Sequence, residues 1–88
     1  MYTFDDILKF LGQGREIEFA VDGKLYGIVN FDGYWLFCCG PDYPSITLAE
    51  FEDRTTLKAK VADKEFIGLD IKSIINNRLY EEGSLDIM

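Results

Sequence analysis

The chain has 88 residues, with 16 Asp and Glu against 9 Lys and Arg, no His, and a formal net charge of −7. That length suits a single domain over 1–88 with its own core and leaves no room for separate catalytic and regulatory domains; the charge repels a phosphate backbone, and the basic residues form no run that would overcome this locally. The absence of histidine removes the commonest general base at neutral pH, every Ser-His or Cys-His nucleophile pair and most transition-metal sites.

At the start of the chain, Thr3 is a good helix N-cap, and Asp6 three residues later returns a bond as in a capping box, while Asp5 and Asp6 favour the positive end of the helix dipole. Phe4, Ile7, Leu8 and Leu11 recur at helical spacing on one stripe, with Gly12 as the stop. The prediction is a short helix held by packing on a sheet.

Glu16 to Cys39 reads as three strands joined by Asp22-Gly23 and Asp32-Gly33, ten residues apart. An Asp-Gly pair between alternating apolar residues is the strongest short-range hairpin signal, because the two-residue turn needs positive φ at both positions. Both turns give the same register: Phe19 faces Tyr26, which faces Cys39, and Ile17 faces Ile28, which faces Phe37. One face therefore collects Ile17, Phe19, Val21, Tyr26, Ile28, Trp35, Phe37 and Cys39, with Asn30, and should be core. The other carries Glu16, Glu18 and Ala20, then Leu25, Gly27, Val29 and Phe31, then Tyr34, Leu36 and Cys38. A purely solvated face would be more polar, so either the C-terminal half or a partner is expected to cover part of it.

Gly40-Pro41-Asp42-Tyr43-Pro44 ends the meander, since a ladder does not continue through these residues. Thr47 to Glu50 has capping-box spacing, and a short helix is expected through Phe51 and Arg54. Leu57, Ala59 and Val61, then Ile67, Leu69 and Ile71, alternate with polar residues or glycine, which favours two more strands joined around Asp63-Lys64. Ser73 is expected to cap a final helix through Tyr80 to Glu82, stopped by Gly83, with Ser84 to Met88 a tail or an edge strand. The fold class is α+β: a helix, a three-stranded antiparallel meander, further short strands, and a C-terminal helix packed on the sheet.

Few constellations here carry chemistry. Cys38 and Cys39 are adjacent, so they point to opposite faces of a strand and suit the role of reduced, inert thiols whose pKa is raised by an aromatic setting. Glu16 and Glu18 share a face and have the residue types of an acid/base pair or a Mg²⁺ or Ca²⁺ site, but read more simply as charges protecting an edge strand. Gly12-Gln13-Gly14 follows a helix rather than a strand and lacks the context of a phosphate loop. Gly27 removes a side chain in mid-strand between Glu18 and Cys38 and lets another backbone or ring come close, for which internal packing is the simpler reason.

The run Phe4-Asp5-Asp6-Ile7-Leu8, then Gly14-Arg15-Glu16-Ile17-Glu18-Phe19, Gly23-Lys24-x-Tyr26 and Trp35, resembles small proteins of Gram-positive bacteria and their phages, which place a short helix before such a meander. The resemblance covers about the first 40 residues. Its motifs are structural, so it implies a bacterial or prophage setting and no catalytic residue.

The function expected is a non-enzymatic, cytoplasmic protein-interaction module of phage or mobile-element descent. It takes a protein partner or a second copy on Leu25, Val29, Phe31, Tyr34, Leu36 and Tyr43, with no cofactor, nucleic acid or membrane. Two other readings stay open: an acidic inhibitor that mimics nucleic acid on a host enzyme, and a small metal-dependent enzyme built from carboxylates such as Glu16 and Glu18. The acidic N-terminus and the short apolar run Tyr34 to Cys39 match neither a secretory signal nor a membrane span.

Overall fold

The computed structural model describes residues 1–41 and 44–88. Helix α1 (Phe4–Gly12) leads into β1 (Ile17–Val21), β2 (Lys24–Phe31), β3 (Tyr34–Cys39) and β4 (Ile46–Glu50); α2 (Arg54–Ala62), α3 (Lys64–Ile67), α4 (Ile71–Asn76) and β5 (Asp86–Ile87) complete the chain. The five strands form one sheet in the order β4-β3-β2-β1-β5, and every neighbouring pair is antiparallel.

The N-terminal half forms as its residues dictate. Thr3 and Asp6 make the reciprocal capping box, with N–H to side-chain oxygen distances of 2.9 and 3.2 Å. Phe4, Ile7 and Leu11 are buried. Gly12 does not stop the helix but sits in its last turn; Gln13 is the C-cap, and Gly14, at φ 84°, redirects the chain into β1. Both Asp-Gly turns have positive φ throughout, 52° and 78° in the first and 52° and 86° in the second, and the register places Phe19 opposite Tyr26 and Tyr26 opposite Cys39.

All the helices cover one face of this sheet. The core joins Ile17, Phe19, Ile28, Trp35 and Phe37 from the inner face to residues of α1, α2, α3 and α4, and includes no outward-facing residue of β1, β2 or β3. The Phe19, Tyr26 and Phe37 rings stack in sequence across three strands, at 5.7 and 6.0 Å between centroids.

The second half corrects several expectations. Thr47 to Glu50 opens no helix; it is β4, because β3 offers a full row of backbone partners and a bulge opposite Trp35 turns both Leu48 and Ala49 inward. The strands expected over Leu57–Val61 and Ile67–Ile71 are instead α2, α3 and the start of α4. Leu57 and Val61, four apart, are buried while Ala59 between them is exposed, a helical rather than a strand pattern.

Aspartate caps nucleate these helices. Asp53 accepts from the Thr56 N–H and hydroxyl, at 3.1 and 2.7 Å. Asp63 accepts from the Glu65 and Phe66 N–H groups, and Asp70 from the Ser73 N–H and hydroxyl, at 3.2 and 2.9 Å. Ser73 is therefore not the cap of the last helix but lies within it, and that helix ends at Asn76 rather than near Tyr80. Gly83 takes a left-handed turn well beyond it.

Arg54 ties the halves together. Its guanidinium donates to the Gly12 carbonyl at 3.0 Å and the Phe51 carbonyl at 2.6 Å, and lies 4.4 Å over the Phe51 ring, itself stacked 5.5 Å from Trp35. A cation on the last carbonyls of α1 also complements the helix dipole. The C-terminal segment then seals β1, which is not an edge: β5 pairs with Ile17 and Glu18, the Glu81 N–H donates to the Ala20 carbonyl, and the Ser84 hydroxyl accepts from the Ala20 N–H.

Gly23→Val forces a β-branched residue into left-handed geometry and should lower stability by roughly 1–2 kcal/mol in denaturant unfolding. The caps make a second prediction. Thr56's side-chain and backbone hydrogen bonds hold the Asp53 carboxyl below its ordinary value of 3.8, as Ser73's backbone and side-chain bonds hold Asp70. A carboxylate whose folded pKa is depressed contributes stability that is fully present above 3.8 and is lost as the pH falls through the lower folded values. The double variant Asp53→Asn, Asp70→Asn should therefore show a shallower acid loss of melting temperature than the unmodified chain.

Candidate functional site

The face of the sheet opposite the helices carries the candidate site. Strand alternation and the pairing register put Leu25, Gly27, Val29 and Phe31 of β2 beside Tyr34, Leu36 and Cys38 of β3, with Val29 opposite Leu36 and Phe31 opposite Tyr34. Phe31 is 70% exposed, Leu25 51% and Tyr34 46%, whereas Val29 and Leu36 are half-buried between their neighbours. Five of the six residues expected to form an interaction surface thus share one face; Tyr43 lies outside the described residues.

Charge is segregated across the sheet. The outward positions of β1, β4 and β5 add Glu18, Glu50 and Asp86, and no Lys or Arg stands at any outward strand position. Six of the nine Lys and Arg, namely Lys9, Arg54, Lys58, Lys60, Lys64 and Lys72, belong to the helices, whereas Lys24 stands in β2 on the opposite face from Leu25, and Arg15 and Arg78 lie in connecting segments. Carboxylates therefore flank an apolar centre without a cation between them.

Glu16 and Glu18 have different tasks. The Glu16 carboxylate accepts from the Asn30 N–H at 2.8 Å, continuing the β1–β2 ladder beyond the first residue of β1. Glu18 stands opposite Gly27 and lines a hollow of about 420 Å³ together with Leu25, Val29 and Cys38; Gly40 and Pro41 close one end. Burial pushes the Cys38 thiol up, and the Glu18 carboxylate pushes it further the same way, so the thiol stays neutral beside the acid. Cys39 faces the other way, into an apolar hollow of about 380 Å³ between Tyr26, Phe37, Ile46 and the α3 end. At the far end of the outer face, Tyr34, Glu50 and Glu52 border an open cleft of about 580 Å³. Among the described residues, no three His, Cys, Asp or Glu side chains gather as ligands for a metal ion, and no helix is long and apolar enough to cross a membrane.

Glu18 and Glu50 were legible as acidic positions but not as the two borders of one apolar patch. Glu50 joins it only through β4, which a capping-box reading of Thr47 to Glu50 hides. Gly27 carried the clearer signal, a glycine in the middle of the central strand. A Cβ added there would meet Val29 Cγ1 at 3.5 Å, Glu18 Cγ at 3.7 Å and the Ile17 carbonyl at 3.8 Å, all ordinary contacts. Neither crowding nor backbone conformation demands glycine, so Gly27→Ala should raise stability by roughly 0.5–1 kcal/mol in denaturant unfolding. No protein-family model, curated protein or solved structure matches the chain, so a functional reading of this face rests on its own geometry.

Proposed function

We propose that the chain is a non-enzymatic recognition module whose outer sheet face docks a protein partner with an apolar contact surface flanked by Lys and Arg. The observation that carries this is the charge pattern: exposed Phe31, Tyr34 and Leu25 lie between Glu18 on one side and Glu50 on the other, with no Lys or Arg at an outward strand position among the described residues. Aromatic anchors at the centre and complementary charge at the rim are the ordinary division of labour in protein interfaces. The sheet edges are poor alternatives. β4 is bulged and β5, the other edge, is only two residues long, both of which oppose strand addition.

An apolar centre between the carboxylates also favours a protein partner over mimicry of nucleic acid, which calls for carboxylates without such a centre. A second copy fits less well than a basic partner, because its own carboxylates would meet these with no cation to pair them. The N-terminal resemblance supports a bacterial or prophage setting, and two free cysteines suit the cytoplasm.

Panning the immobilised chain against a library of displayed random peptides tests this reading. The expected result is enrichment of peptides that combine apolar residues with Lys or Arg, whose binding weakens with salt and is lost in Phe31→Ser and Tyr34→Ser. Enriched peptides that bind those variants unchanged would overturn it. So would sedimentation showing a dimer that Phe31→Ser dissociates, since the face would then be a self-interface.

A further inference from the structure

Gly27 lies on the central strand at an outward position, between Glu18 on β1 and Cys38 on β3 and between Leu25 and Val29 along its own strand. Its φ lies outside the left-handed region and an added Cβ would find only ordinary contacts, so the fold itself gives no reason for a residue disfavoured in strands. What the missing side chain leaves is the floor of the hollow of about 420 Å³.

The walls of that hollow have a definite chemistry. Leu25 and Val29 are apolar, Cys38 is a neutral thiol, and among the described lining residues Glu18 is the one charged group. A group that fits has an aliphatic stem several carbons long and a positive end, the form of lysine and arginine, whose stems lie along apolar surface while the head reaches a carboxylate. An apolar side chain would fill the hollow but leave Glu18 unpaired at its wall, and an acidic one would meet it with like charge.

We infer that the hollow over Gly27 is a socket for one Lys or Arg side chain of the partner, its stem crossing Gly27 between Leu25 and Val29 and its head paired with the Glu18 carboxylate. This rests on the reading of the outer face as a docking surface and adds the residue class that the face selects.

The test uses peptides recovered by panning against the full chain, with affinities measured by calorimetry. One basic position in the peptide should matter most. Replacing it with norleucine should weaken binding about fivefold, as should Glu18→Gln, and the two changes together should cost little more than either alone. Gly27→Val should weaken binding roughly tenfold or more by filling the socket, because the cost of overpacking a fitted contact exceeds that of losing an exposed ion pair. Gly27→Ala, which the backbone accepts without strain, should also weaken binding while the melting temperature holds or rises, which separates loss of the socket from loss of the fold. If Phe31→Ser and Tyr34→Ser abolish binding but Glu18→Gln and both Gly27 variants leave it unchanged, the docking face stands and the socket falls. If all these variants bind as the unmodified chain does, or no peptide is enriched, the docking reading falls and the socket with it.

Discussion

Everything in this molecule depends on the pairing register fixed by Asp22-Gly23 and Asp32-Gly33. Positive φ at each central residue closes both hairpins with two-residue loops, and the two registers agree on β2, the strand they share. A slip of one residue would exchange the faces, sending Trp35 and Phe37 to solvent and Leu25 and Phe31 to the helices. The same constraint therefore makes the core and exposes the opposite face.

A second dependence runs through Arg54. Three carbonyl-rich or aromatic features converge where α1 ends, β4 turns into α2, and Trp35 lies beneath: the Gly12 and Phe51 carbonyls and the Phe51 ring. One guanidinium serves them all, because its planar fork donates in several directions and its face stacks on an aromatic ring. The Trp35 indole N–H, donating to the Phe51 carbonyl at 3.0 Å, is satisfied at the same node. At the opposite corner the Asn76 side chain accepts from the Phe4 N–H at 2.8 Å, so α4 caps the start of α1 as Arg54 caps its end.

These clamps place all the helices on one side, and the other side of the sheet is left bare. A two-layer α+β fold needs only one covered face, and its second face is ordinarily polar. Here that face concentrates exposed aromatic and aliphatic residues at its centre and carboxylates at its borders, while most of the cations lie on the helices. Both edges are protected from strand addition. The fold thus directs any association to the face, where side chains rather than backbone groups set the choice of partner.

The parts of the fold legible in the sequence are those set by short-range forces. Thr3 and Asp6, the two Asp-Gly turns and the alternation of the meander act over a few residues, so α1, β1 to β3, their register, and the residues that point away from the core follow from local sequence alone. In the second half the local signals conflicted. Leu57, Ala59 and Val61 alternate like a strand, and Thr47 to Glu50 is spaced like a helix start. Yet the free side of β3 recruited Ile46 to Glu50 as a strand, and the Asp53, Asp63 and Asp70 caps turned the segments after them into α2, α3 and α4. Long-range packing places the C-terminal half on the inner face and along β1, leaving Leu25, Phe31 and Tyr34 open, and brings Glu50 beside them. The reason is physical: the sides of a sheet are chosen by long-range burial of Leu57, Val61, Ile71 and Ile75 against Trp35 and its neighbours, which no local pattern encodes.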